Sequence, residues 1–267
     1  MDRLRASTSM EVEPAGWAVI KLKYGGWCAT LQCTGLVSKL SHCLSAKGLS
    51  IFYISAWDSD YVLVHEEHAS EALQHLTLAA RSFSGERRPS RRAALASGTC
   101  ECDEEPNLAS ASASAEFQQR RVTLWGHSVG ICGCDSKRLP DISIAAIRAL
   151  FLSLPRHPLP FLRAFVRSCD KHGDSISLLM PLEAAEYLPD DLREQIASVS
   201  WDVASVDEGA LGFDSVGIVA ATAGVLDRAG VPILYLSTWN TDYVLLLSSK
   251  REAAEAALNR CMSLQSV

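Results

Sequence analysis

Gly48-Leu49-Ser50-Ile51-Phe52-Tyr53-Ile54-Ser55-Ala56-Trp57-Asp58-Ser59-Asp60-Tyr61-Val62-Leu63 is written a second time as Gly230-Val231-Pro232-Ile233-Leu234-Tyr235-Leu236-Ser237-Thr238-Trp239-Asn240-Thr241-Asp242-Tyr243-Val244-Leu245. Trp57 returns as Trp239, and every other pair keeps the same separation of 182 positions. The match reaches back without a gap to Gly35 and Gly217, so it spans a helix and a hairpin together. Two related modules built on one template are implied. Duplicated modules of this size tend to pair, and a pocket between paired copies inherits near-twofold symmetry, which suits one small ligand at the seam.

Working outward, Trp17 to Leu22 reads as a strand, and a helical period starts near Thr34 with Leu36, Val37, Leu40, Cys43 and Leu44 on one face. Gly48 stops it as a C-cap glycine would. Ser50 to Ser55 and Asp60 to His65 form a hairpin about Asp58-Ser59, and Ala69 to Ala80 is a second helix. The C-terminal copy repeats the order: strand Trp201 to Val206, helix Ser215 to Ala229, hairpin strands Pro232 to Thr238 and Asp242 to Ser248, helix Arg251 to Met262. Each copy is β-α-β-β-α. A third, diverged unit lies between them, with a strand at Arg121 to His127 and a helix at Ile142 to Leu154. Strands at Leu159 to Cys169 and Ser175 to Pro181 and a short helix at Leu182 to Tyr187 follow. Its hairpin lacks the Ser-x-Trp-x-x-Asp signature, which points to a partner or spacer role. The expected division is 1–82, 119–192 and 193–267 for the three units, with 83–118 as linker. That linker is rich in Ser, Ala, Arg, Glu and Pro and cannot bury enough apolar surface to offset its ordering entropy.

The chain has 267 residues, 48% of them hydrophobic and 21% charged, which is ordinary for a soluble protein. A net charge of −6 argues against a nucleic-acid partner, since the phosphate backbone demands a basic face. The basic run Arg87-Arg88-Pro89-Ser90-Arg91-Arg92 is answered by Glu101, Asp103, Glu104 and Glu105. Met1 to Gly16 is neither a secretory signal nor a transit helix of the usual kind, and no window is long enough to cross a bilayer. Nine cysteines, an odd number, are incompatible with a complete disulfide framework and point to reduced thiols and a cytoplasmic protein. The pairs Cys100/Cys102 and Cys132/Cys134 lack the second hook a structural zinc needs, so neither metal nor other cofactor is expected.

Catalysis is not supported. No Gly-x-Ser-x-Gly elbow, nucleotide-binding glycine loop or acid/base cluster is present, and the seven histidines include no His-x-x-x-His or Glu-x-x-His arrangement on a common face. Gly217 opens a helix whose first N–H groups are unpaired donors able to hold a carboxylate, and Asp242 at the hairpin mouth offers charge to an ammonium or guanidinium. Each also has a plainer reading: Gly35 and Gly217 as close-packing glycines, Asp60 and Asp242 as turn caps, Trp57 and Trp239 as anchors between units.

A β-α-β-β-α unit with glycine opening its first helix resembles the ACT domain, a regulatory module that binds amino acids between paired copies. Leu211-Gly212-Phe213-Asp214-Ser215-Val216-Gly217-Ile218-Val219-Ala220 with Tyr235 to Asp242 is similar to the last ACT domain of the CASTOR family of cytosolic arginine sensors. Leu49-Ser50-Ile51 with Ile54 to Tyr61 resembles that family's second ACT domain. The resemblance implies an α+β chain of tandem ferredoxin-like ACT units, packed as paired sheets with helices on one face. It places an amino-acid pocket on Ser50 and Ile51 from the first unit, and on Gly212, Ser215, Val216, Gly217, Ile218, Thr238, Trp239, Asn240 and Asp242 from the last. Ser215 stands where the family's arginine binders carry glutamate. The family's animal members have four ACT domains and the first is missing here, so the middle unit is expected to dimerise or the sequence to be incomplete. Two functions follow: a non-enzymatic sensor for arginine or another amino acid, acting on a protein partner that in this family is the GATOR complex upstream of TOR, or a regulatory module for a separate enzyme of amino-acid metabolism.

Overall fold

Two faces of one sheet, each buried under a different layer, organise the chain. The computed structural model describes residues 16–23, 35–83, 121–152, 162–170, 173–207, 216–238 and 241–266. The expected linker, with Ser90, Cys100 and Cys102, lies outside the described residues apart from its first position. The first unit consists of β1 (Trp17–Lys23), α1 (Leu36–Ser45), β2 (Ile51–Ser55), β3 (Ser59–His65), a 3₁₀ turn at Glu66–His68 and α2 (Ala69–Phe83). The middle unit consists of β4 (Arg121–Asp135), α3 (Leu139–Ile147) with a π turn at Arg148–Leu152, β5 (Ala164–Asp170), β6 (Gly173–Pro181), a 3₁₀ segment at Leu182–Tyr187 and α4 (Asp190–Ser198). The last consists of β7 (Trp201–Asp207), α5 (Ile218–Arg228), β8 (Ile233–Ser237), β9 (Thr241–Leu247), a 3₁₀ turn at Ser248–Lys250, α6 (Arg251–Cys261) and β10 (Ser263–Ser266).

Both repeat copies match the expected order. Their first helices begin later than the apolar period implies, at Leu36 and Ile218, because Gly35 (φ 85°) and Gly217 (φ 89°) are left-handed and cannot belong to a right-handed helix. The middle unit departs further. Its first strand runs on from His127 to Asp135, its helix starts at Leu139, and α4 and β10 were not anticipated. Gly130 and Gly133 lie in the longer strand, both where a neighbour touches the backbone: a Cβ on Gly130 would overlap Ile196, and one on Gly133 would overlap the Trp57 indole.

The strands join in the order β1-β3-β2-β8-β9-β7-β4-β6-β5, with β10 parallel to β4. Alternation along them separates two faces. Tyr235, Val244, Leu246, Ala204 and Val206 point into a core shared with α1, α2, α5 and α6, while Leu234, Leu245 and Val203 point the other way. There they meet Val129, Ile131 and Leu179 of β4 and β6, whose alternate residues Cys132, Ile176, Leu178 and Met180 pack on α3 and α4. The result is four layers, helices outside and two portions of sheet between. β4 belongs to both portions, pairing with β7 over its first half and β6 over its second, with a register break between Leu124 and Ser128. No described helix is long and apolar enough to cross a membrane.

Candidate functional site

The first and last units meet edge to edge. β2 and β8 run antiparallel with Ile54 opposite Leu236, and α1 packs on α5 above them. The contacts are reciprocal: the Tyr53 amide donates to Ser237 Oγ (3.1 Å) and the Tyr235 amide donates to Ser55 Oγ (3.0 Å). Residues related by the repeat therefore exchange identical hydrogen bonds, the signature of a twofold interface inside one chain. The two tyrosine rings, both fully buried, pack edge to face with centroids 6.4 Å apart. Their hydroxyls donate to carboxylates on the neighbouring strands, Tyr53 Oη to Asp60 Oδ2 at 2.6 Å and Tyr235 Oη to Asp242 Oδ2 at 2.7 Å.

At one end of this seam the structure collects most of the described candidates. β7 ends at Asp207 opposite Thr241, one place beyond the Val206–Asp242 pair, and α5, preceded by Val216 and Gly217, begins at that same end with Ile218. Thr238 closes the β8–β9 turn, its amide donating to the Thr241 carbonyl at 3.2 Å and its hydroxyl to the same oxygen at 2.5 Å. The antiparallel register of β2 on β8 carries Ile51 and Ser50 past the end of β8, level with that turn. Gly212, Ser215, Trp239 and Asn240 lie outside the described residues. Val216 is 42% exposed, while Ile218 is buried.

The start of α5 presents donors. The first intrahelical bond runs from the Ala221 amide to the Gly217 carbonyl (2.9 Å), so the amides of Ile218 to Ala220 have no partner within the helix. Gly217 caps without a side chain, and a Cβ built on it would meet only the Cβ of Ser45, 3.8 Å away. The charge expected at the hairpin mouth sits deeper than the sequence implies: Asp242 is 3% exposed, beneath the Tyr235 hydroxyl. Asp60 is held in the same way in the first copy, so the Tyr–Asp pair is a shared feature of the fold.

Sequence reasoning gave no role to Tyr53, Tyr235, Ser55 or Ser237, although all four stand inside the quoted repeat. Trp57 does anchor units together: its indole lies on Gly133, its amide donates to Ser177 Oγ (2.9 Å), and Ser175 Oγ donates to Asp58 Oδ1 (3.4 Å). Cys43 and Cys132 are buried thiols, which pushes them up to about 11 and about 12 from the ordinary 9.0. Among the described residues no cluster of His, Cys, Asp and Glu could hold a metal.

A profile of the ACT domain matches residues 14–77 and 196–260. Similar relatives are the proteins named cytosolic arginine sensor for mTORC1 subunit 1 from Homo sapiens and Pongo abelii, each 27% identical over 91% of this chain and 75% of the relative. The Bos taurus protein of that name is 28% identical with the same coverage. Among solved structures, aspartate kinase from Synechocystis aligns at 14% identity over 92% of this chain and 40% of that one, with a TM-score of 0.39. The ACT-domain model thus matches the first and last units, at 14–77 and 196–260, and the chain resembles the cytosolic arginine sensors over nine-tenths of its length.

Proposed function

We propose that this chain is a non-enzymatic sensor that binds one free amino acid, arginine or another, between its first and last ACT domains and changes its grip on a protein partner. The observation that carries the reading is the resemblance to proteins named as arginine sensors, which spans both domains that form the seam. The local chemistry supports it. The amides of Ile218 to Ala220 suit an α-carboxylate, since a helix start combines unpaired donors with the positive end of the dipole. Ser50 and Thr238 supply hydroxyls from either side, and Asp242 supplies negative charge for the amino or guanidino end; Gly212, Ser215, Val216, Gly217, Ile218, Ile51, Trp239 and Asn240 complete the pocket. Because the site is shared by two domains, a ligand bound there favours the conformation in which they are closed, which is how occupancy can bias a partner. By the same resemblance the partner is a GATOR-like complex in nutrient signalling upstream of TOR, and the setting is cytoplasmic.

A thermal-shift screen of the full chain against the twenty amino acids tests this, because a ligand of the folded state raises the midpoint by mass action. A rise for one amino acid that is lost in Asp242→Asn is expected. No rise for any of them rejects the sensor reading.

A further inference from the structure

In the outer units the first helix and the second strand are the elements that pair: α1 lies on α5, and β2 joins β8. The helices run antiparallel, since Gly35 at the start of α1 meets Asp227 at the end of α5, and Gly217 at the start of α5 meets Ser45 at the end of α1. Each helix is therefore covered on two sides, by its own sheet and by its partner, and six of the ten residues of α1 and seven of the eleven of α5 are buried. The middle unit holds the third copy of these elements, α3 and β5, at the end of the strand order. Of the nine residues of α3 only Ile142 and Ala146 are buried, against the middle unit's own sheet. The side turned away from that sheet is apolar: Ile144 is 68% exposed, Ile147 51% and Phe151, in the π turn, 74%. Asp141, Ile144 and Arg148 follow one another at spacings of three and four residues, so they share one helical stripe with Ile147 beside it. The patch extends to β5, where Phe165 is exposed on the α3 side of the sheet, opposite Leu178. Arg163 Nη1 donates to the Leu150 carbonyl (2.7 Å) and ties the residue before β5 to the end of this helical segment. Single exposed apolar side chains are ordinary, whereas a contiguous row marks an interaction surface.

We propose that a second copy of the chain docks on this face, α3 against α3 about a twofold axis, in the antiparallel manner of α1 on α5. A surface built on a template that pairs with its own repeat is self-complementary, which is the requirement of an isologous contact. Charge selects the same arrangement. Asp141 lies in the first turn of α3 and Arg148 at its C-cap, on either side of Ile144 and Ile147. Antiparallel helices set each Asp141 beside Arg148 of the second copy, whereas parallel ones would set like charges together. The same axis brings the two β5 edges alongside each other, which covers Phe165 and removes an open sheet edge from each chain.

Sedimentation velocity of the full chain across the micromolar range tests this. A species of twice the 28.9 kDa chain mass is expected. Ile147→Glu and Phe151→Glu change side chains that are exposed in the single chain, so each should fold, shown by an unchanged thermal midpoint at dilution, yet weaken self-association by at least about tenfold. Asp141→Arg and Arg148→Asp should each weaken it as well, and the two together should restore it, because the exchange keeps opposite charges facing across the axis. A single-chain mass at every concentration overturns the proposal and leaves this face to a different partner. Self-association that withstands both glutamate variants places the contact elsewhere and overturns it too. Failure of the paired charge exchange to restore a dimer lost in the single variants overturns the antiparallel docking. Should a glutamate variant fail to fold, the charge exchange, made at exposed positions, decides the matter.

Discussion

Tyr53 and Tyr235 meet edge to face across the seam between the first and last units, 6.4 Å apart, and each holds a buried aspartate on its own neighbouring strand. A buried carboxylate that loses a donor retains its desolvation cost, so removing either hydroxyl should matter more than the loss of one ordinary hydrogen bond. Tyr53→Phe and Tyr235→Phe are each expected to lower stability by about 1–3 kcal/mol, read as urea midpoints at unchanged slope. A change below the error of the midpoint for both would mean that the phenols do not support Asp60 and Asp242.

Ser55 and Ser237 make the reciprocal bonds of the seam, each hydroxyl accepting an amide from the opposite domain. Each alanine substitution leaves one amide at the β2–β8 contact without that acceptor, at an expected cost of about 1 kcal/mol. The two bonds hold one interface, so the double variant should show a coupling energy of at least about 0.5 kcal/mol in a double-mutant cycle. Strict additivity would show that the two bonds act independently.

The repeat made the fold of the outer domains legible, since alternation in Ile51–Ser55 and Asp60–His65 and the period of Leu36, Leu40 and Leu44 agree with the structure. The middle unit was less legible because tertiary contacts there override local signals: Gly130 and Gly133 punctuate a strand that continues because Ile196 and Trp57 need their bare backbones. Of the candidate site, Ser50, Ile51, Val216, Gly217, Ile218 and Thr238 were named from the repeat and the resemblance. The burial of Asp242 did not, because nothing local reveals that the phenol seven positions back lies over it.

Trp57 packs directly on Gly133, where the first unit's hairpin turn meets the middle unit. Gly133→Ala forces the indole away, and overpacking of this kind costs roughly 1–3 kcal/mol. The effect should be local: Trp57 should become more accessible to acrylamide quenching in a chain whose other tryptophans are replaced by phenylalanine where tolerated. The combination of Gly133→Ala with Trp57→Leu should recover part of the lost stability. An unchanged midpoint for Gly133→Ala would show that the turn and the middle unit are not packed against each other.

Burial raises Cys43 to about 11 and Cys132 to about 12, against an ordinary 9.0. Between the unfolded and folded values the native state keeps protons that the unfolded chain has released, so stability is intact below pH about 9 and falls as pH climbs toward 11 and beyond. The two thiols together should contribute a loss of the order of a few kcal/mol across that window. Urea midpoints measured from neutral to alkaline pH should fall more steeply for the natural chain than for Cys43→Ala and Cys132→Ala. Equal slopes would show that other groups dominate alkaline unfolding. The same burial should make both thiols slow to alkylate in the native chain at neutral pH, because the thiolate is the reacting species.

Gly35 and Gly217 share one backbone conformation but not one environment, and alanine at each should separate the two roles. At both positions a Cβ in the left-handed region costs roughly 1–2 kcal/mol. At Gly217 little else is disturbed, since the Ser45 Cβ would be 3.8 Å from the new carbon. At Gly35 the new carbon also displaces the Asp227 carboxylate, so Gly35→Ala should be the more destabilising of the pair by urea titration. Binding should rank the other way: Gly217→Ala tilts the amides of Ile218 to Ala220 and places a methyl group where a ligand carboxylate would approach, whereas Gly35→Ala leaves that end untouched. Titration calorimetry with the amino acid that raises the thermal midpoint should therefore show affinity lost in Gly217→Ala and retained in Gly35→Ala. The opposite order would move the ligand to the Gly35 end of the seam and make Asp227 a part of its pocket.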